Sequence, residues 1–181
     1  MKKKIIVLLT ILLLFAVWLA GFYRVNEKYP YSPMEKYEQE ESVFVGGLGV
    51  TVQVADWRFA TQDEKARRVG DAFDPNEVEM ILLDIVVTNT TNSEQTGSFF
   101  PFYLESPDIF WANAVFYPGI LAAESSPTVM YTLQPGDSVS KTLPYTVYRY
   151  AAGENVECDL RDFNYQLILQ LYPVKKVITL Q

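Results

Sequence analysis

Nineteen consecutive residues, Ile5 to Tyr23, carry no charge, and they lie between Lys2-Lys3-Lys4 and Arg24. A helix rises 1.5 Å per residue, so this run reaches roughly 28 Å, close to the hydrocarbon thickness of a bilayer. An uncharged helix of this kind offers no face to water, which argues against a place in a soluble core. The lysines predict that the short N-terminal side stays in the cytoplasm and the remainder lies outside. Trp18, Phe22 and Tyr23 sit near the outer end, where interfacial aromatic residues gather.

Signal peptidase requires small residues one and three places before its cut. A cut after Ala20 puts Trp18 in the third place, and a cut after Gly21 puts Leu19 there. Both are poor, so residues 1–25 are expected to remain as a single-pass anchor in the cell membrane. Secretion after cleavage is the alternative. Leu19-Ala20-Gly21 resembles the start of a lipoprotein box, but Phe22 stands where lipidation needs Cys.

About 155 residues follow the segment, enough for one domain with its own hydrophobic core. Four of the 15 basic residues lie in residues 1–24, so eleven face 22 acidic residues in the remainder, a net of −11. Such an exterior disfavours nucleic acid, which is held by basic patches. The chain has no His and one Cys. It therefore lacks the parts for a Ser-His or Cys-His catalytic pair, a His-ligated zinc site or an intrachain disulfide. No cofactor is expected.

Residues 26–41 read as a juxtamembrane stalk. Ser32-Pro33-Met34-Glu35 has the order of a helix start, predicting a short helix to about Glu41 with Tyr37 packed on the domain. From Ser42 to Gln181 the pattern is mostly that of strands. Val50, Val52 and Val54 alternate with polar residues, and Trp57 and Phe59 continue on the opposite parity, which predicts a bulge near Ala55-Asp56. Thr61-Gln62-Asp63-Glu64 is a capping box for a short inserted helix, Gln62 to Val69, with Gly70 as its stop. Met80 to Thr88 is apolar on both parities and belongs in the middle of a sheet. Asn89 to Gly97 reads as a polar turn from which Phe99 to Leu104 returns. Gln134-Pro135-Gly136-Asp137 has the residues of a type II turn. Alternating runs follow at Val139–Val147 and Tyr165–Leu171, with a last strand at Val177–Leu180.

About seven strands separated by turn signals predict an all-β fold, an antiparallel β-sandwich. Met80-Ile-Leu-Leu-Asp-Ile-Val-Val-Thr-Asn89 followed by an aromatic strand, and Leu133-Gln-Pro-Gly-Asp-Ser-Val139 opening another, resemble the membrane-tethered immunoglobulin-like domains of Gram-positive bacteria. The resemblance spans Ser42 to Gln181. It implies an extracytoplasmic immunoglobulin-like fold and carries no established activity or catalytic residues.

Eight aromatic residues crowd the nineteen positions from Phe99 to Tyr117. Aromatic faces stack on sugar rings and anchor peptides. Adjacent pairs such as Phe99-Phe100 point to opposite faces of a strand, so one member of each leaves the core. Phe100, Phe102, Trp111 and Tyr117 are the candidate ligand or partner surface. Asp71, Asp74 and Glu77 are weak calcium candidates, since the loop lacks the alternating ligands and central Gly of an EF-hand. Asp84 is the one acid inside an apolar strand. Cys158 lies among acids that raise rather than lower a thiol pKa. Asn89-Thr90-Thr91 matches a glycosylation acceptor and reads more simply as a hydrogen-bonded turn. The expected role is a non-catalytic module that binds an envelope protein or cell-wall component outside the membrane. The alternatives are a carboxylate-pair hydrolase of envelope polymers and a calcium-stabilised spacer.

Overall fold

In the computed structural model, residues 2–28, 32–70, 74, 76–123, 128–148 and 159–181 are described. The chain divides into two units, Met1–Pro33 and Met34–Gln181. The first holds one continuous helix, α1 (Lys2–Lys28), whose apolar side chains from Ile11 to Phe22 are exposed. Counted over the described residues, whose side chains in α1 begin at Thr10, no helix is long and apolar enough to cross a membrane.

The second unit is a β-sandwich. Its strands are β1 (Met34–Tyr37), β2 (Val43–Val45), β3 (Val50–Phe59), β4 (Val78–Thr88), β5 (Gln95–Ser98), β6 (Tyr103–Ser106), β7 (Trp111–Ala114), β8 (Met130–Leu133), β9 (Ser138–Tyr148), β10 (Tyr165–Gln170) and β11 (Lys175–Leu180). Two short helices, α2 (Gln62–Val69) and α3 (Tyr117–Ala123), are inserted. One sheet has the order β1-β11-β10-β6-β7, the other β2-β3-β4-β9, and β5-β8 form a separate ribbon.

β4 sits between β3 and β9, and its residues from Val78 to Leu83 are all buried. Both parities are apolar because both faces are covered. Ile81, Leu83, Ile85 and Val87 meet Leu104, Leu167 and Ile178 of the facing sheet. Met80 and Leu82 pack outward with Ala60, Val69 and Phe116. The shift of parity in β3 is a bulge between Val54 and Asp56, as the alternation predicts. α2 starts on the expected capping box: Thr61 Oγ1 accepts from the Glu64 amide, and the Glu64 carboxylate accepts from the Thr61 amide at 2.9 Å. Gly70 closes it at φ 55°.

Several expectations are corrected. The stalk helix is absent: Met34–Tyr37 form strand β1, whose backbone pairs parallel to β11 from Met34↔Lys175 to Tyr37↔Ile178. Ladder bonds to a distant strand outweigh the local capping pattern, and the domain begins at Met34 rather than Ser42. Tyr37 does pack against the core. This parallel edge also makes the sandwich mixed rather than wholly antiparallel. Phe99 to Leu104 does not return beside β4, because β9 occupies that edge over its whole length. The chain pairs β5 with β8 instead, turns at residues 99–102, and crosses to the other sheet as β6. Finally, the strands number eleven among the described residues, and α3 is an additional seven-residue helix too short to show a period.

Candidate functional site

The turn between β2 and β3, Gly46-Gly47-Leu48-Gly49, presents almost no side chain. Leu48 and Gly49 amides both donate to the Val45 carbonyl at 3.0 Å. Gly49 has φ +65°, and a Cβ there would lie 2.8 Å from the Gln95 side chain. Opposite runs the β10–β11 connection, Leu171 to Val174. Between them, with Pro101 from the turn after β5, opens a groove of about 640 Å³. Phe44, Leu48, Pro101, Leu169, Tyr172 and Pro173 supply its apolar walls. Phe44 and Tyr172 are 46 % and 76 % exposed, although both are large apolar residues.

Its polar lining is Glu35, Gln170 and Lys176. The Lys176 ammonium donates to the Phe44 carbonyl at 2.9 Å and stands 3.7 Å from the Glu35 carboxylate. The Tyr37 hydroxyl donates to the same carboxylate, which raises the pKa of the phenol. Gln170 donates to the Val174 carbonyl and so holds the connection in shape. The lining contains no Ser, Thr, Cys or His, and its single carboxylate is ion-paired. It offers shape, apolar area and a few hydrogen-bonding groups, the makeup of a site that binds.

Beside the groove the polar turn after β4 is closed by one buried amide. Asn89 Nδ2 donates to the carbonyls of Ser93 (2.8 Å) and Leu133 (3.0 Å), and its Oδ1 accepts from the Thr91 amide (2.9 Å) and hydroxyl (2.8 Å). Its backbone amide donates to Asp137 O, and its carbonyl accepts from the Gly136 amide. The Asn89-Thr90-Thr91 motif is therefore a structural lock between two turns, with Gly136 at φ +85° as the Pro-Gly pair predicts.

The aromatic candidates do not form one platform. Phe100 and Tyr117 do meet, with ring centroids 5.7 Å apart and both rings exposed. Phe102 is fully buried, edge-on to Phe99, and its carbonyl accepts from the buried Tyr145 hydroxyl. Phe102 is thus core rather than surface, because residues 99–102 turn inward over the end of the sandwich. Trp111 is half-buried against the same core at the start of β7. Phe99 and Phe100 do point opposite ways, the first buried and the second exposed.

Of the calcium candidates, Asp71 lies outside the described residues, as does Cys158. Asp74 Oδ1 accepts from the Asn76 amide and Asp74 O from the Glu77 amide, a turn built on itself. Among the described residues no group of three or more His, Cys, Asp or Glu is placed to hold a metal. Asp84 is half-buried on the outer face of its sheet, in register with Asp56, and accepts from the Thr142 hydroxyl. The groove residues do not stand out in the sequence by residue type. Their signal is apolar side chains inside turn segments, Leu48 among glycines and Tyr172-Pro173 between two strands.

Similar solved structures share little sequence. The yjhA protein of Bacillus subtilis is 12 % identical, with a TM-score of 0.49 over 80 % of this chain and 99 % of its own. A conserved hypothetical protein of Bacillus anthracis is 10 % identical, with a TM-score of 0.45 over 73 % and 88 %. An uncharacterised β-sandwich protein of Clostridium difficile is 9 % identical, with a TM-score of 0.43 over 82 % and 96 %. No curated protein sequence matches the chain. A family model does, over residues 31–176, and the chain belongs to that family, DUF5028, a domain of unknown function.

Proposed function

We propose that this chain is a non-catalytic binding module, an immunoglobulin-like sandwich tethered outside the cytoplasm by α1. Its groove takes an extended apolar peptide segment of an envelope protein. One observation carries the reading: a groove of about 640 Å³ walled by exposed apolar side chains and bare glycine backbone, where a single carboxylate is already ion-paired. The volume lies within the range of ligand sites, and glycine backbone lets a second chain approach closely. The tether is supported by the uncharged run Ile5 to Tyr23 inside one 27-residue helix, roughly 40 Å long. The charge balance beyond it opposes nucleic acid. A hydrolase would need a second acid in the groove, and the lining supplies none.

The test uses the full chain in nanodiscs, titrated with a decapeptide of alternating Leu, Pro and Tyr. Micromolar binding, weakened at least tenfold by Phe44→Asp and by Tyr172→Asp, is the expected result. Binding of soluble cell-wall fragments at the same residues would move the reading to a wall component. Indifference of both ligands to both substitutions would end it. Protease added to whole cells checks the tether, since the domain should be cut without lysis.

A further inference from the structure

The end of the sandwich away from the groove carries a different feature, at the tip between β6 and β7. Phe110 follows a 3-10 turn, Pro107–Ile109, and is 99 % exposed, the most exposed large apolar residue among those described. Its backbone lies at φ 49° and ψ 39°, the left-handed region that a bulky side chain adopts only at a cost. Glycine or asparagine would hold this turn with less strain.

The tip is braced on both sides. Asp108 Oδ2 accepts from the Asn164 amide at 2.8 Å and from Asn164 Nδ2 at 2.9 Å. Ile109 and Trp111, the residues flanking Phe110, pack against the core. Phe110 is therefore held outward by its neighbours, with little left to order on binding. Among the described residues the charge here is mainly negative: Asp108 in the loop, and Asp159 and Asp162 in the segment leading to Asn164, are exposed. Among the described residues of that segment the cation is Arg161, which lies 5.3 Å over the Phe59 ring and 3.9 Å from Glu79.

We propose that Phe110 is a docking knob for a second protein partner, inserting into an apolar pocket whose rim is basic. An acidic rim repels anionic lipid and attracts Lys or Arg, and a lone projecting aromatic residue on a braced loop matches the buried anchors of interfaces. This site stands apart from the groove and does not depend on what the groove binds.

The test places the photo-crosslinker p-benzoylphenylalanine at exposed Pro107 in the full chain, in its native cells. It is repeated with Phe110→Asn and with Asp162→Lys. The expected result is an adduct to one protein, identified by mass spectrometry, at an apolar patch flanked by Lys or Arg. Either substitution should cut its yield at least tenfold. Phe110→Asn should leave Tm unchanged or raise it, because the side chain covers nothing and the strain is relieved. An adduct that survives Phe110→Asn, adducts to lipid alone, or none at all would overturn the proposal. So would a fall in Tm on Phe110→Asn, since the residue would then be structural.

Discussion

The two ends of the sandwich expose apolar surface for opposite reasons. At the groove end, side chains are missing: glycines 46 and 47 leave volume unfilled, and Phe44 and Tyr172 stand beside the gap. At the far end a side chain is forced outward, Phe110 on a left-handed backbone. A concavity of this kind asks nothing of the backbone, whereas a projecting knob is paid for in local strain. The ends are also held differently. Near the groove the lock is the neutral amide of Asn89, bonded on every polar atom. Toward the other end, where β3 leads into α2, it is a carboxylate: Glu64 bonds Arg58 through both oxygens and the Thr61 amide through one. The Asn89 contacts should therefore respond to pH less than the Glu64 contacts, although the Asp137 carboxylate in the adjoining turn accepts from the Gln134 amide.

The largest effect should come from breaking the neutral lock. Asn89 is fully buried, so Asn89→Ala removes its side-chain hydrogen bonds and leaves the Ser93 and Leu133 carbonyls without that donor. A destabilisation of about 3 kcal/mol is expected in urea unfolding, since each buried polar group left unmade costs ~1–3 kcal/mol. If Asn89→Ala proved as mild as a surface change, Asn89 would not be the lock between these two turns. Asn89→Asp tests the same point, because a carboxylate cannot donate to the two carbonyls.

Next in size is a contrast within the groove turn itself. Gly49 has φ +65° and sits against Gln95, so Gly49→Ala should cost about 1–2 kcal/mol through backbone strain and displacement of that side chain. Nothing lies within 4 Å of a Cβ at Gly47. Gly47→Ala should stay within about 0.5 kcal/mol while narrowing the groove. Equal costs at the two positions would mean that the groove backbone is under uniform tension, and the distinction between unfilled volume and strain would fail at that end.

Local signals and long-range ones were unequally legible in the sequence. The capping box at Thr61-Glu64, the bulge at Ala55-Asp56, the buried strand at Met80–Thr88 and the Pro-Gly turn all appear where the residues place them. Each depends on interactions within a few residues or on a strict parity. β1 was hidden because its stability comes from β11, at the opposite end of the chain. The groove was hidden for a related reason: it is a space between three turns, and no single stretch encodes a space. Aromatic density pointed to residues 99–117, yet Phe102 went inward and Trp111 half inward. Composition counts aromatic rings without saying which of them the turns will cover.

The smallest effect tests the charged lock. The Glu64 carboxyl is held well below the ordinary glutamate range, first by its hydrogen bonds to Arg58 and then by the Thr61 amide. A carboxyl depressed in the folded state contributes fully above its unfolded pKa, about 4.3, and that contribution is lost as pH falls through the folded value. Half of the Arg58 side chain lies in solvent, so screening keeps the contribution to about 1 kcal/mol. Glu64→Gln should therefore lower stability at pH 7 by about that amount and flatten the acid limb below about pH 4.3. Hydrogen exchange between pH 5 and pH 3, corrected for intrinsic rates, distinguishes the two ends. Amides at the start of α2 should lose protection over this range, and those of the Asn89 turn should keep theirs. Parallel loss at both would show that the ends open as one unit, and that the neutral and charged locks are not independent.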